Sequence, residues 1–596
     1  MGEKNSNRDE LQRTHKCGEI NENNIEEKVV IMGWVQKRRN LGGVIFLDVR
    51  DRSGMVQVVF DPDINRDIFS IAENLRSEYV IAVEGKVRKR PEGNINLDLP
   101  TGKIELVGKQ IKILEESKTP PFLVEDEVEV GEDLRLEYRY IDLRRPKMKN
   151  ILHLRHKVMK KTRDFLDNKG FWEIETPILT KSTPEGARDY LVPSRIHTGK
   201  FYALPQSPQL FKQILMSGGI EKYFQISRCF RDEDLRANRQ PEFTQIDMEM
   251  SFVNKRQIFS ISTDLMKSIF ALADIEVPDE IPVMTYDEAI NKYGTDKPDL
   301  RFNMLLQDIS DIVKDSEFNI FRDIVAKEGK VKGIKISNSA EISRSKIDEY
   351  TDYVKKFQAK GLAWMVFKDS GVKSPISKFL SSEEIEKIKD KMNIKTGDLA
   401  LFVADESKVV HQALGNLRLK IAREKNLVKK DKNKFVWIVN FPLMEFDEKR
   451  QRYIATHHPF TSPLKEDISL LDNDPSKVRA NSYDLVLNGE ELGGGSIRIN
   501  NKDLQYKVFE ALNFDIKEAE DKFGFLLEAF DYGTPPHGGI AFGLDRIIMI
   551  LSGANSIRDV IAFPKTQNAT SPLTKAPSSV SKDQLEELHI SVKDSN

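Results

Sequence analysis

The chain has 596 residues, of which 39% are hydrophobic and 31% charged, values ordinary for a soluble globular protein of about three or four domains. Its 92 basic and 94 acidic residues give a net charge of -2, so any contact with nucleic acid must come from local patches. There is no apolar run near the ~20 residues that cross a bilayer, and no apolar signal-peptide core at the N-terminus. With only Cys17 and Cys229, the sequence predicts a cytoplasmic protein in a reducing compartment, without a membrane span or a cysteine zinc site.

Residues 1–26 are polar and predict a poorly ordered lead-in. Residues 27–117 contain five β-prone runs separated by turn-forming residues, with one helix near residues 71–76 between the third and fourth runs. This order predicts a small Greek-key barrel of the oligonucleotide-binding (OB) kind. The five predicted strands cover residues 29–35, 44–49, 56–60, 79–87 and 104–113.

The first three predicted strands of this barrel carry aromatic and basic side chains. Trp34 and a basic run ending at Arg39 are followed by Phe46, Arg50 and Gln57. Because bases stack on aromatic rings while arginines hold phosphates, single-stranded RNA is a natural ligand. The alternative is that the aromatic residues belong to the barrel core and the basic residues are solvated, and this segment alone leaves both interpretations open.

Residues 118–145 are acidic and contain prolines, a composition that predicts a hinge. Apolar periodicity predicts a helix over residues 152–166 that ends at Lys169-Gly170. Residues 171–179 predict a strand interrupted by Pro177, which a sheet tolerates only at an edge or a bulge. Such a helix and strand suit either a subunit interface or an internal layer.

Polar segments with turn and cap residues follow. Residues 182–189 predict a mobile loop suited to a lid. Ser207 followed by Pro208 predicts a helix start, with Ser207 as the N-cap and proline at the first helical position. This start directs Ser207 and the positive end of the helix at a pocket, with Gln209 and Lys212 in the next turn.

The most informative segment is a predicted pair of strands, residues 223–226 and 243–250, joined by a long charged loop. In the second strand Gln245, Asp247 and Glu249 share one face, since side chains alternate with period two. Arg231 ends the first strand, where its guanidinium can bind a phosphate through two hydrogen bonds. The alternative is a solvated ion-pair hairpin.

Residues 297–430 predict an α/β module inserted into a core that consists of residues 146–296 and 431–596. Lysine-rich helices at residues 382–392 and 410–424 alternate with short strands at residues 361–367 and 399–403. No cluster of chemically active residues stands out in this module.

After the module, His457 and His458 predict a role in a polar pocket rather than a metal site, because no further His or Cys lies nearby in the sequence. A strand at residues 481–487 and an Asn-Gly hairpin turn lead into three glycines, which permit backbone to approach a ligand closely. Asp484 and Glu491 flank this turn and offer the hard oxygen ligands that suit Mg²⁺ on a nucleoside triphosphate.

A final strand passes through Gly543 into a buried helix. Arg546 is the only cation within this apolar stretch, and a buried charge requires a partner. The partner is either a bound phosphate or a structural carboxylate.

Three of these segments resemble, in order, the three motifs of the class II aminoacyl-tRNA synthetases. They are the segment from Lys169-Gly170-Phe171 to Pro177, the segment Phe230-Arg231-Asp232-Glu233 with its return strand, and Gly543-Leu544-Asp545-Arg546. Their position behind the barrel resembles the aspartate, asparagine and lysine subgroup. The resemblance implies an α+β multidomain fold with an N-terminal OB-fold, a catalytic domain on an antiparallel sheet with flanking helices, an inserted α/β module and a homodimer.

Within this subgroup, further segments resemble the bacterial aspartyl type: residues 182–189, 206–212, 243–247, 297–301, 457–460, 493–498 and 563–566. This implies an aspartate–tRNA ligase that converts ATP and L-aspartate to aspartyl-adenylate and transfers the aspartyl group to the 3′ end of tRNA(Asp), with tRNA(Asn) left open. The alternatives are an asparaginyl- or lysyl-type synthetase and an adenylate-forming ligase without tRNA. An RNA-binding protein without catalysis is a further alternative, disfavoured by the presence of Arg231, Glu491 and Arg546.

The resemblance also implies roles for individual residues. Arg231 and Arg546 are the catalytic residues that neutralise phosphate charge. Arg498 and Lys212 hold the substrate's side-chain carboxylate, and Arg498→Leu is expected to abolish aspartate activation while leaving the fold intact. The residues implied for L-aspartate are Glu185, Ser207, Gln209, Lys212, Arg231, Asp247, His457 and Arg498. Those implied for ATP are Arg231, Asp232, Glu233, Gln240, Phe243, Glu491, Gly543, Leu544, Asp545 and Arg546. Asp484 and Glu491 are implied for Mg²⁺, and Arg39, Phe46 and Gln57 for the tRNA anticodon.

Overall fold

The computed structural model describes residues 11–183, 187–233, 239–429, 432–449 and 451–593. The chain forms two compact units, the first ending at His153 and including Ala562–Thr566 and Thr570–Pro577, and the second formed mainly by Leu154–Ile561. None of the helices in these described ranges is long and apolar enough to cross a membrane. Cys17 and Cys229 are buried free thiols.

The first unit contains the predicted five-stranded barrel, closed in the order β1-β2-β3-β5-β4. Its core is made by inward-facing residues that alternate along the strands, for example Ile45, Leu47 and Val49. The first strand is longer than predicted, because it continues through Arg39 after a bulge between Val35 and Lys37. The elements are β1 (Lys28–Leu41), β2 (Val44–Arg50), β3 (Met55–Phe60), α1 (Arg66–Asn74), β4 (Val80–Lys89) and β5 (Ile104–Glu115).

The predicted hinge contains two short helices, α2 (Glu132–Glu137) and α3 (Arg139–Asp142). Asp142 is fully buried and accepts a hydrogen bond from Arg145 at 3.0 Å. The long helix α4 (Pro146–Asn168) follows, and the chain leaves it through Gly170, whose φ of 79° favours glycine. The helix and its end agree with the prediction.

Near the start of the second unit lies a strand that is shorter than the sequence predicts. Only Trp172–Glu173 pairs with the main sheet, because the chain leaves the edge well before Pro177, which has no N–H to donate. The elements up to the inserted module are β6 (Trp172–Glu173), β7 (Leu191–Pro193), β8 (Phe201–Ala203), α5 (Gln209–Ser217), β9 (Lys222–Phe230), β10 (Glu242–Ser251), α6 (Lys255–Phe270), β11 (Val283–Thr285) and α7 (Tyr286–Tyr293).

The predicted cap of α5 is displaced by one residue. Pro208 has a ψ of 20° and occupies the N-cap position, so the helix begins at Gln209 and has no side-chain cap. Ser207 Oγ still accepts the Gln209 N–H at 3.3 Å. The predicted N-cap at Ser207 is therefore wrong, although the helix itself is confirmed.

The inserted module consists of a five-stranded sheet with helices on both faces. The strand order is β12-β13-β16-β14-β15 and all pairs are antiparallel. α10 and α12 cover one face, and α8, α9 and α11 cover the other. The elements are β12 (Gln307–Asp308), α8 (Ser310–Val313), α9 (Asn319–Ala326), β13 (Lys330–Ile336), α10 (Arg344–Lys355), β14 (Ala363–Lys368), β15 (Gly371–Lys373), α11 (Ser382–Met392), β16 (Leu399–Asp405) and α12 (Ser407–Glu424).

The chain then returns to the main sheet of eight strands, ordered β11-β17-β20-β21-β22-β10-β9-β6. Its central pairs are antiparallel, and only the outer pairs β11–β17 and β6–β9 are parallel. The remaining elements are β17 (Phe435–Val439), β18 (Met444–Asp447), β19 (Arg452–Ala455), β20 (Ser482–Leu487), β21 (Glu490–Ile497), α13 (Lys502–Ala511), α14 (Ile516–Phe530), β22 (His537–Gly543), α15 (Leu544–Ser552) and α16 (Lys582–Glu587).

Candidate active site on the antiparallel sheet

Strand β10 organises the candidate site. It pairs with β9 from Glu242 to Met250, as the sequence predicted, and with β22 on its other side. Phe243, Asp247 and Glu249 share a face, because side chains alternate along a strand. Six residues of extended chain span about 20 Å, so the face has room for two neighbouring groups of side chains.

At the Phe243 end, a cavity of about 260 Å³ opens over β10, β21 and the start of α15. Arg231 and Arg546 both line it, as predicted. Arg239 and Lys297 also line it, although the sequence analysis assigned them no role. The other residues predicted for ATP that line the cavity are Glu233, Gln240, Phe243, Glu491, Gly543 and Asp545.

Two residues predicted for ATP do not line this cavity. Leu544 is fully buried, and Asp232 lies 3.5 Å from the exposed guanidinium of Arg188. Asp545 lines the cavity, but its carboxylate is bound by Arg155 at 2.5 Å and by the backbone N–H of Thr244 at 2.9 Å. The Asp545 carboxylate therefore joins α4, β10 and α15 and is not free for a ligand.

The two arginines of the cavity have unused hydrogen-bonding capacity. The Arg231 guanidinium lies over the Phe243 ring, 5.0 Å from its centre. Arg546 donates to the backbone oxygen of Glu491, while its Nε is buried without a hydrogen-bond partner. Among the described residues, no carboxylate forms an ion pair with Arg546, so the structural-carboxylate alternative for this cation finds no support there.

The three glycines of β21 serve the packing of the sheet. A Cβ atom on Gly494 would collide with the carboxylate of Asp484 across the strand pair, and one on Gly495 would collide with the backbone oxygen of Gly539. The sequence predicted that these glycines admit a ligand. In the structure Gly493 lines the cavity, as that prediction requires, whereas Gly494 and Gly495 make room for the Asp484 side chain and the neighbouring strand.

Asp484 and Glu491, the residues predicted to hold Mg²⁺, lie close enough for Glu491 to act on Asp484 electrostatically. Asp484 Oδ1 is buried without a hydrogen-bond partner, and burial together with the nearby Glu491 carboxylate raises the pKa of Asp484. Burial alone would also raise the pKa of Glu491, but Lys297, 2.6 Å away, lowers it. An unsatisfied carboxylate oxygen beside a second carboxylate fits Mg²⁺ chemically. No group of three or more His, Cys, Asp or Glu residues arranged for a metal occurs in the described ranges.

Further along β10 lies a buried cluster of two cations and two carboxylates. The Lys212 ammonium is 2.8 Å from Asp247 and 3.2 Å from Glu249. The Arg498 guanidinium donates to both oxygens of Glu249, at 2.9 and 3.0 Å. Each of these four residues is at most 3% exposed, so their charges balance one another without help from water.

The two carboxylates of this cluster differ in their electrostatics. Burial raises the pKa of Asp247 to about 6, and Lys212 only partly offsets it. For Glu249 the attraction of Arg498 and Lys212 outweighs burial and lowers the pKa to about 2. Asp247 Oδ1 has no hydrogen-bond partner, nor has Nε2 of the buried Gln209 nearby in α5. The cluster thus retains one acceptor and one donor for a ligand.

The structure places His458, and not His457, against Arg498. Arg498 Nη1 donates to His458 Nε2 at 2.7 Å, and because arginine cannot accept, that nitrogen carries no proton. Burial and then Arg498 lower the pKa of His458 well below its usual range. His457 packs edge-on against Phe441, and burial lowers its pKa to about 4.

The remaining residues predicted for L-aspartate are distributed differently. Ser207 lines a second cavity of about 260 Å³, which also includes Thr180, Asp189 and Gln206. Glu185 lies outside the described residues. Glu249 was missed as a site residue, although period-two alternation had already put it on the face of Asp247, and this alternation was the signal that could have identified it.

On the barrel, the three residues predicted for the anticodon are neighbours on one face. Arg39 donates to both oxygens of Asp48 at 2.8 Å and to Gln57 at 3.2 Å. Phe46 lies opposite Arg39 in the β1–β2 register and is half-buried. Arg39 is thus already paired and its charge is balanced by Asp48.

The family described as class II tRNA synthetases (D, K and N) matches residues 131–567, well over half of the chain. The chain belongs to this family. The OB-fold nucleic acid binding domain matches residues 29–114 of the synthetase, the segment that forms the barrel. Synthetases of this class are ligases that use ATP as a substrate.

Similar relatives extend over nearly the whole synthetase. The Aspartate--tRNA(Asp/Asn) ligase of Halothermothrix orenii is 68% identical, and the match covers 98% of this chain and 99% of the relative. The Aspartate--tRNA ligase of Clostridium botulinum (strain Kyoto) is 56% identical over 97% of this chain and 98% of the relative. A crystal structure of asparaginyl-tRNA synthetase from Pyrococcus horikoshii with asparaginyl-adenylate has the same fold, with a TM-score of 0.59, 18% identity and coverage of 94% of this chain and 99% of that one.

Proposed function

We propose that this synthetase is an aspartate–tRNA ligase that forms aspartyl-adenylate from ATP and L-aspartate and transfers the aspartyl group to the 3′ end of tRNA. The relatives at 68% and 56% identity, both named as ligases for aspartate, support the choice of amino acid. The observation that carries it is the buried cluster, in which Arg498 grips the Glu249 carboxylate with two hydrogen bonds. Lys212 and Arg498 each keep one N–H donor beyond their contacts within the protein, and these donors suit the side-chain carboxylate of a dicarboxylic amino acid.

Substrate roles follow from groups that the cluster leaves unsatisfied. Asp247 Oδ1 is an acceptor without a partner and suits the α-ammonium of L-aspartate, while Gln209 Nε2 is a donor without one. Lys212 and Arg498 provide the positive charge for the side-chain carboxylate. Asparagine would place a neutral amide there, and an unmatched buried polar group costs about 1–3 kcal/mol. Lysine would place an ammonium against two cations.

In the cavity at the other end of β10, Arg231 and Arg546 bind the triphosphate and neutralise the charge that develops on phosphate oxygens during transfer. Phe243 provides a flat surface on which adenine stacks. Asp484 and Glu491 hold Mg²⁺, which when bound balances phosphate charge. Orientation of the two substrates, head to head along one face of the sheet, supplies the remainder of the catalysis.

Outside the catalytic site, Arg39, Phe46 and Gln57 contact the anticodon, with Arg39 positioned by Asp48. A homodimer in the cytoplasm is the proposed state of the protein. The dimer is supported by exposed apolar side chains on the edge strand β6 and in the segment after it, where Trp172 is 64% exposed and Leu179 is 52% exposed. A single species of twice the chain mass in sedimentation would support the dimer, and a monomer at micromolar concentration would contradict it.

The test of the proposed amino acid is exchange of pyrophosphate into ATP with aspartate, asparagine or lysine as the only amino acid. Aspartate should support exchange about 10- to 100-fold better than asparagine, as expected for one unmatched buried polar group that costs about 1–3 kcal/mol. Equal exchange with asparagine, or exchange with lysine alone, would reject the proposal.

Charging of both tRNA(Asp) and tRNA(Asn) is a second candidate function, favoured because the relative at 68% identity is named for both. Purified tRNAs of each kind, incubated with labelled aspartate, decide between the two. Label on both tRNAs supports the dual activity, while label on tRNA(Asp) alone restricts the protein to the single one.

A further inference from the structure

Lys297, at the start of the inserted module, reaches into the candidate nucleotide cavity. It lines the same cavity as Arg231 and Arg546. Its ammonium lies 2.6 Å from Glu491 Oε2, a distance typical of a strong charge-assisted hydrogen bond. Lys297 is not among the residues proposed to contact ATP, aspartate, Mg²⁺ or tRNA.

The backbone that follows Lys297 is held in place by the module itself. Arg418 of α12 is fully buried and donates to the backbone oxygens of Met304 at 2.6 Å, Asp299 at 2.8 Å and Phe302 at 3.1 Å. Its guanidinium also lies over the Phe302 ring, 3.9 Å from the centre. Three bonds from one rigid guanidinium fix residues 299–304 and therefore restrict where the Lys297 backbone can lie.

Glu491 needs a cation in this position. It lies beside Asp484, whose Oδ1 is buried without a hydrogen-bond partner, so the pair holds negative charge in a site with little water. Arg546 contacts the backbone oxygen of Glu491 and not its carboxylate. In the described ranges, Lys297 is the one cation within ion-pair distance of the Glu491 carboxylate.

We propose that Lys297 is a positioning residue of the nucleotide site: a built-in counter-ion that balances and orients Glu491 when no divalent cation is bound. The inference rests on the proposed function, since it takes Asp484 and Glu491 as the carboxylates that hold Mg²⁺. It gives the inserted module a part in catalysis, because the module supplies the lysine and Arg418 holds the loop that carries it. Lysine and a divalent cation then compete for one carboxylate.

The test compares full-length wild type with Lys297→Met, which keeps most of the length of the side chain and removes its charge. The readout is the thermal unfolding midpoint in EDTA and with increasing MgCl₂, without nucleotide or amino acid. Lys297→Met should unfold at a lower temperature than wild type in EDTA and should recover at least about 2 °C on Mg²⁺ addition. Wild type should respond by less than half as much, because its own lysine already balances Glu491.

Two further variants keep the result interpretable. Lys297→Arg retains the positive charge and should respond to Mg²⁺ as wild type does, and Lys314→Met removes a lysine exposed elsewhere on the module and should change nothing. If Lys297→Met does not fold, Lys297→Gln replaces it in the same comparison. An equal Mg²⁺ response in wild type and in the uncharged variant overturns the inference.

Pyrophosphate exchange by wild type separates this inference from the proposed function. If wild type exchanges pyrophosphate with aspartate but Lys297→Met responds to Mg²⁺ like wild type, only the role of Lys297 fails. In the uncharged variant, the Mg²⁺ concentration for half-maximal exchange should fall about tenfold relative to wild type, because Mg²⁺ no longer competes with the lysine for Glu491. If exchange is absent in wild type, the proposed function fails, whatever the thermal shifts are.

Discussion

At the scale of single residues, Arg498 shows how burial changes a prediction made from sequence. Its guanidinium is bound by both oxygens of Glu249, by His458 and by Ser496 at 2.7 Å. The family resemblance implied that Arg498 holds the substrate's side-chain carboxylate and that Arg498→Leu abolishes activation while leaving the fold intact. Because Arg498 is buried and paired, its replacement by leucine is not expected to leave the fold intact.

Arg498→Leu is now expected to lose aspartate activation and to lower the free energy of unfolding by about 3–5 kcal/mol, because Glu249 is left buried with Lys212 shared between two carboxylates. Denaturant unfolding and pyrophosphate exchange measure the two effects. The matched variant Arg498→Leu with Glu249→Met removes the orphaned charge and should recover most of the stability but none of the activity. Recovery of activity in that double variant would contradict the role of Arg498.

The two histidines provide a second prediction at this scale. His458→Phe removes the acceptor for Arg498 Nη1 and should raise KM for aspartate about tenfold, the usual effect of losing one hydrogen bond to a charged group, with KM for ATP unchanged. His457→Phe is the comparison variant: His457 Nε2 has no hydrogen-bond partner in the protein, so this variant breaks no bond to Arg498 and should alter KM for aspartate less. A larger aspartate effect from His457→Phe would reverse the assignment made from the structure.

At the scale of elements, helix α12 of the inserted module carries two buried polar residues, Arg418 and His411. His411 Nε2 has no hydrogen-bond partner, and burial, followed by nearby Lys332, lowers its pKa from 6.5 to about 4. Between pH 6.5 and pH 4 the unfolded chain binds a proton that the folded chain does not. Stability is therefore lost as the pH falls through this window.

The expected loss is on the order of 2 kcal/mol between pH 7 and pH 4.5, confined to the module. His411→Gln cannot titrate and should show a smaller loss. Hydrogen exchange of α12 amides, compared between wild type and variant at each pH so that the chemical exchange rate cancels, measures the difference. The same pH dependence in both proteins would show that His411 is not the group responsible.

How far sequence predicts an element depends on how local its causes are. The barrel strands, the β9–β10 hairpin and α11 follow from alternation, turn residues and caps, and all three are confirmed. The strand predicted at residues 171–179 shrinks to Trp172–Glu173, since pairing at a sheet edge depends on the neighbour β9 and not on local propensity. The N-cap of α5 is Pro208 and not Ser207, because the ψ of Pro208 is 20°, outside the helical range.

At the scale of the whole molecule, the sequence identified most of the chemical groups of the site and few of their partners. Arg231, Phe243, Glu491 and Arg546 line one cavity as predicted, because motifs in order along the chain meet on neighbouring strands. The pairing of Arg498 with Glu249 joins residues 249 positions apart, and no local pattern reveals it. The same holds for Lys297, whose contact with Glu491 bridges the entire inserted module.

The proposed function depends on one face of β10 that joins a nucleotide cavity at Phe243 to the charged cluster at Arg498. A crystal structure with a non-hydrolysable aspartyl-adenylate analogue tests it most directly. Adenine should lie against Phe243, the phosphate position beside Arg231, and the aspartyl carboxylate within hydrogen-bond distance of Arg498 or Lys212. An analogue bound with its aspartyl side chain away from both cations, or outside the cavity between Phe243 and Arg546, would contradict it.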